Sequence, residues 1–189
     1  MAGIAADDAD VVALLMRQHG DIRNLFDEVE KAGGEERRAA FRRLVRLLAV
    51  HETAEEEVVH PFTRTSVPDG EAVVEARLAE EREAKEVLSR LDGMDTDDPK
   101  FLPGLDALRK DVMAHARSEE RYEFIHIRRS ADKARLASMA TALRAAEAMA
   151  PTHPHPGTES AAKNLTLGPV AAVIDRTRDA VRKAMGKDG

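Results

Sequence analysis

Hydrophobic positions recur every three or four residues along four long stretches of the chain. The first stretch carries Val12, Leu15, His19, Ile22, Phe26 and Val29. The second carries Phe41, Leu44, Leu48, His51, Glu55, Val58 and Phe62, and the last carries Phe101, Leu105, Leu108, Val112, His115, Glu119, Tyr122 and His126. Alternating three- and four-residue steps mark the inward face of a helix in a bundle. The third stretch is less regular, with Val74, Glu81, Leu88 and Leu91 on one track and Leu78 beside it.

Turn residues set the expected boundaries. Asp8 or Asp10 caps a first helix that Gly33-Gly34 stops near Ala32. A second helix runs from about Glu35 to His60 and ends at Pro61, followed by a loop, Ser66-Val67-Pro68-Asp69-Gly70. A third spans about Glu71 to Leu91, and a fourth about Phe101 to Arg129, with Pro103 confined to its first turn. Ala131 to Ala150 reads as further helix, continuous with the fourth or bent from it. Similar lengths and short connections predict an all-α, up-down antiparallel four-helix bundle over residues 8–150. Residues 151–189 read as a Pro- and His-rich linker and a short amphipathic C-terminal helix, about Val170 to Met185. Its apolar side is expected to dock on the domain itself or on a second copy.

Polar residues interrupt these stripes at middle depth. His19 lies among Leu15, Ile22 and Phe26, and His51 and Glu55 lie between Leu48 and Val58. His115 and Glu119 follow Val112, and Glu81 lies between Leu78 and Leu88. An ionised carboxylate without a partner is costly in a dry core. A divalent cation satisfies carboxylates and imidazoles together. His51-x-x-x-Glu55 and His115-x-x-x-Glu119 each place an imidazole and a carboxylate on one helix face. His51 lies eleven residues before Phe62 and Glu81 eleven after Gly70, so at about 1.5 Å per residue they meet at one level. A single His in a seam is ordinarily a hydrogen-bonded core residue, and a single His-x-x-x-Glu is common by chance. Two such pairs with a further His and Glu point to a shared metal site of His19, His51, Glu55, Glu81, His115 and Glu119.

Composition narrows the metal. The chain has no Cys, which excludes thiolate sites, disulfides and a cysteine nucleophile. Imidazole and carboxylate donors from four helices match di-iron or di-manganese chemistry, whereas zinc needs only four ligands. Six donors suggest two ions, with Glu55 and Glu119 as bridges and the His residues terminal. Among the flanking groups, Glu52 reads as an outer partner or solvated, His60 as pointing away from the site, and Tyr122 as a seam aromatic with a bonded hydroxyl, each with metal ligation as the lesser alternative. Arg23, Arg77 and Lys85 read by default as a solvated face, with pairing to surplus carboxylates near the site as the alternative. Asp95-Thr96-Asp97-Asp98 lacks the glycine and terminal Glu of a calcium loop and reads as a capping loop. With 189 residues, a net charge of −6, 3% aromatic residues and no Trp, the chain is not suited to a β-sandwich and carries no general nucleic-acid footprint. No apolar run approaches a membrane span and no secretory signal is evident, so a cytoplasmic address is expected.

Four segments carry a family resemblance: Gln18-His19-Gly20-Asp21-Ile22-Arg23-Asn24-Leu25-Phe26, His51 through Pro61, Glu80 through Leu88, and His115-Ala116-Arg117-Ser118-Glu119-Glu120. Over about residues 8–156 the chain resembles the hemerythrin-like, or HHE cation-binding, family, and its Pro- and His-rich tail is similar to actinobacterial members. The resemblance implies a bundle holding two non-haem iron ions with an oxo or hydroxo bridge, manganese or zinc being lesser alternatives, in a monomer or homodimer. It implies reaction with O2, hydrogen peroxide or nitric oxide. Oxygen-carrying members supply two His four residues apart from the third helix. This chain has none there, leaving Glu81, or Glu80, as the donor. A more anionic site favours ferric iron and shifts the expectation from reversible O2 carriage to peroxide or nitric oxide turnover, or to O2 or iron sensing.

Overall fold

The computed structural model describes residues 10–149 and, beyond them, residues 176, 179, 180, 182, 183 and 185. Helix α1 (Val11–Lys31) starts at Asp10, whose side chain accepts the Val12 N–H at 2.8 Å. Gly34, at φ 51°, turns the chain into α2 (Gly34–Ala54) in a conformation that glycine adopts without strain. A π-helical turn (Glu55–Val59) joins α2 to α3 (His60–Ser66) in one continuous rod. Helix α4 (Gly70–Asp92) returns alongside it. Helix α5 (Phe101–Ser118) passes through a second π-helical turn (Glu119–Glu123) into α6 (Phe124–Ser130). Helix α7 (Lys133–Met149) packs on α1, α2 and the first π-turn.

These elements form the expected antiparallel bundle of four rods, with α7 laid against it as a fifth helix. The second rod does not stop at Pro61. In the π-turn the His60 N–H reaches back to the Glu55 carbonyl, so Pro61 and its missing donor fall in the first turn of α3. Helix α7 is separated from α6 by an extended Ala131 rather than continuing it. Aspartates cap the α4–α5 connection, Asp95 accepting the Asp97 N–H and Asp98 the Lys100 N–H. The linker at 151–157 lies outside the described residues. Of the C-terminal helix, Met185 is partly buried against the core and accepts a 3.5 Å contact from the Ser138 hydroxyl.

The core has two apolar parts. One holds Ile22, Phe26, Leu44, Leu48, Leu88, Phe101, Leu105 and Leu108. The other holds Leu14, Leu15, Val58, Val59, Phe124, Ile127 and Leu143. Along three rods the stripe passes from one part to the other across the polar residues of the seam. Among the described residues, no helix is long and apolar enough to cross a membrane.

Two glycines test the packing with opposite signs. A Cβ on Gly70 would lie 2.1 Å from the Thr63 carbonyl oxygen, whereas one on Gly20 would meet nothing within 4 Å. Gly70→Ala is expected to cost about 1–3 kcal/mol and lower the melting temperature by about 3–10 °C. Gly20→Ala, within α1, is expected to gain about 0.5–1 kcal/mol. Thermal denaturation followed by circular dichroism checks both, and equal shifts in one direction would contradict this packing.

Candidate metal centre

Six side chains from the four rods converge between the two apolar parts. The donor atoms of His19, His51, Glu55 and Glu119 lie within 4.8 Å of one another, and so do those of Glu55, Glu81 and His115. Glu55 belongs to both groups. His19 Nε2 is 3.3 Å from Glu119 Oε2, His51 Nε2 is 3.4 Å from Glu55 Oε2, and His115 Nε2 is 3.4 Å from Glu119 Oε1. All six residues foreseen in the seams therefore meet at one level.

The imidazoles share one orientation. His19 Nδ1 is 2.9 Å from Glu120 Oε1, His51 Nδ1 is 2.7 Å from Gln18 Oε1, and His115 Nδ1 is 2.8 Å from Glu80 Oε2. Each acceptor holds an Nδ1–H, which directs each Nε2 inward, toward the carboxylates. Arg77 Nη1 donates to the same Glu80 oxygen at 2.7 Å. His19 is further fixed by stacking on Phe124 (ring centroids 5.6 Å apart).

The donor set fits cations. His19 Nε2, His115 Nε2, one oxygen of Glu81 and both oxygens of Glu55 and Glu119 are buried without a hydrogen-bond partner. Such groups are costly inside a protein unless something else satisfies them. The electrostatics reflect the crowding. Burial pushes Glu55 well above the usual carboxylate range, and nearby Glu119 adds to it. Burial also acts to raise Glu119, but His115 and His19 outweigh it and hold Glu119 well below that range. Burial, with His19 and His115 nearby, holds His51 down to about 3, so His51 is a neutral imidazole able to donate its lone pair.

The π-turns change which neighbours face the centre. His60 is buried, contrary to the outward position expected from ideal helical spacing, with Nε2 2.8 Å from Glu81 Oε1. The π-turn needs five residues to come round, which brings His60 back over Glu55. Tyr122 is 64% exposed and does not lie in the seam, while Glu123 is buried and accepts from the Thr63 hydroxyl at 2.6 Å. The extra residue in the second π-turn rotates Tyr122 outward and Glu123 inward. His126 is only half-buried. Lys85 and Arg77 follow the alternative to a solvated face and pair with carboxylates near the site. Lys85 is buried, 2.5 Å from Glu56 and 3.7 Å from Glu52, and burial raises Glu52 to about 8 despite the ammonium. Helical spacing misplaced His60 and Tyr122 and gave no sign of Glu123. Pro61 inside an otherwise helical run was the available sign of an irregular turn.

A cavity of about 180 Å³ reaches the cluster from between α4 and α5. Ile22, Leu48, Ala84 and Val112 give it apolar walls, His19, His51 and His115 face it, and Glu80, Glu83 and Asp111 add acidic groups.

Four helical rods enclosing a buried layer of imidazoles and carboxylates define a helical cation-binding module. The sequence profile of the hemerythrin HHE cation binding domain matches residues 10–125, and the chain belongs to that family. It is 29% identical over 138 residues to a hemerythrin-like protein of Schizosaccharomyces pombe, covering 72% of this chain and 68% of that one. It is 25% identical over 146 residues to a DNA nickase of Nostoc, covering 77% of this chain and 41% of that protein. Its fold is similar to the crystal structure of a hemerythrin HHE cation binding domain-containing protein from Mycobacterium kansasii. That likeness has a TM-score of 0.65 at 20% identity and covers 89% of this chain and 98% of the other.

Chelation should expose the dependence of the fold on a bound cation. A ligand held at about a thousandfold over its dissociation constant adds about 4 kcal/mol, or about 8–16 °C in melting temperature. Calorimetry before chelation, after it, and after iron(II) is restored is expected to show that loss and recovery. A melting temperature indifferent to all three treatments would argue against a cation at this centre.

Proposed function

We propose that this centre holds two iron ions and that the chain turns over hydrogen peroxide or nitric oxide. His19, His51 and His115 would be the terminal ligands, Glu81 the donor from α4, and Glu55 and Glu119 the carboxylates shared between the ions. The observation that carries this reading is the set of three imidazoles, each anchored at Nδ1 and open at Nε2, facing carboxylates with unpartnered oxygens. A donor set of nitrogen and oxygen without thiolate suits iron or manganese in a bundle core. Iron bound there supplies one-electron redox changes.

The protein's own residues set what can react. Ile22, Leu48, Ala84 and Val112 limit water around the cluster, and a cavity of about 180 Å³ admits molecules up to about the size of benzene, hydrogen peroxide and nitric oxide among them. Glu80, Glu83 and Asp111 disfavour anions, leaving neutral species such as hydrogen peroxide and nitric oxide. Glu120, Gln18 and Glu80 keep the imidazoles oriented through a reaction cycle. Peroxide is a self-sufficient substrate. Two molecules yield two of water and one of dioxygen, one being oxidised and the other reduced. Residues 8–150, including α7, would act as the domain that performs this.

The test is iron content together with turnover. Iron(II)-loaded protein should carry about two irons per chain and either evolve oxygen from peroxide or, with a one-electron reductant such as ascorbate supplied, consume nitric oxide at an electrode, two molecules taking up two electrons and two protons to give nitrous oxide and water. His51→Ala and Glu119→Ala should each reduce both iron content and turnover, by about 100-fold or more for turnover, because losing an outer partner alone costs about 10–100-fold. Two irons without either reaction would replace turnover by O2 or iron binding.

A further inference from the structure

Gln18 Nε2 donates to a Glu147 carboxylate oxygen, and Gln18 Oε1 lies 2.7 Å from His51 Nδ1. An amide has one donating end and one accepting end, and an ionised carboxylate only accepts. Glu147 therefore dictates which way the Gln18 amide points. With its NH2 turned to Glu147, its carbonyl oxygen faces His51 and can only accept. His51 must then carry its proton on Nδ1, which leaves Nε2 as the inward lone pair. Burial moves the Glu147 carboxyl above its ordinary range, against the opposing pull of the Gln18 hydrogen bond and of Arg144 and Arg17.

His19 and His115 need no such second link, because each is held directly by a carboxylate, Glu120 or Glu80. His51 has only an amide, which by itself can present either end. The deciding charge comes from the last turn of α7, 129 positions along the chain and outside residues 10–125. Gln18 and His51 are both buried, so no bulk water competes for the amide.

We propose that Glu147 is a positioning residue for the metal centre, acting through Gln18 to fix the tautomer of His51, and that α7 is thereby part of the cation site. This rests on His51 being a ligand, as proposed above. Breaking the relay lets the amide turn its NH2 toward His51. That favours a proton on Nε2 and removes the inward lone pair. Outer partners of ligating histidines are worth about 10–100-fold in metal affinity.

The test uses the full chain with zinc(II) and iron(II) as probes. Glu147→Leu should weaken the binding of one ion by about 10–100-fold, leave the helical circular dichroism unchanged, and shift His51 toward the Nε2–H form in nitrogen-15 spectra. The exchange Gln18→Glu with Glu147→Gln rebuilds a donor–acceptor chain ending in an acceptor at His51. It should restore wild-type affinity, which a merely structural role for Glu147 would not require. Independently of any variant, His51 in the zinc-loaded wild-type chain should show a protonated Nδ1 and a metal-bound Nε2. Unchanged affinity and tautomer in Glu147→Leu, failure of the exchange to rescue, or zinc on Nδ1 would each overturn the relay. If His51→Ala binds both metals as the wild type does, the ligand assignment fails instead.

Discussion

Glu55 and Glu119 are wholly enclosed by the bundle, and neither receives a hydrogen bond on either oxygen. Glu81 brings a third enclosed carboxylate beside them, and three imidazoles complete the layer. An uncompensated buried charge costs several kcal/mol, a large fraction of the net stability of a domain. The apolar parts on either side can be held together by ordinary packing. The layer between them cannot, and cations shared among these groups are the simplest way to satisfy them. The rest of the structure can be read as a device for bringing these atoms to one level and keeping them there.

That device has an inner and an outer part. Inside, four rods each contribute at least one donor, so the centre exists only when the bundle is assembled. Outside, Glu120, Gln18 and Glu80 fix the imidazole tautomers, and Arg77 and Glu147 bond to two of these acceptors. The negative charge of the layer is partly balanced by Lys85, which is buried between Glu52 and Glu56. The cavity between α4 and α5 leaves one side of the layer open to small molecules while its apolar walls keep the remainder dry. Orientation, charge balance and access are thus supplied by residues that need not touch a metal.

The bundle and the six converging side chains were legible in the sequence because both depend on helical periodicity. Val112, His115 and Glu119 share a face whatever surrounds them, and a polar residue in an apolar stripe stands out. Position across the rods could be judged from depth alone, since His51 and Glu81 are equidistant from the same loop. Beyond Glu55 and Glu119 that logic failed. The second and fourth rods each contain a π-helical turn starting at these residues. One extra residue per turn rotates everything downstream, which buries His60 and Glu123 and turns Tyr122 to solvent. Ideal spacing carries no record of such a turn.

The sequence by itself determined which residues are apolar, which polar ones lie among them, and where the turns between rods fall, because these follow from local periodicity and turn chemistry. Tertiary structure decided the partners. Gln18 meets Glu147, His115 meets Glu80, and Lys85 meets Glu52 and Glu56 across 29 or more positions of chain. Such contacts depend on the rotation and depth of neighbouring rods, and those are fixed only when the π-turns, the core and the polar layer pack at the same time.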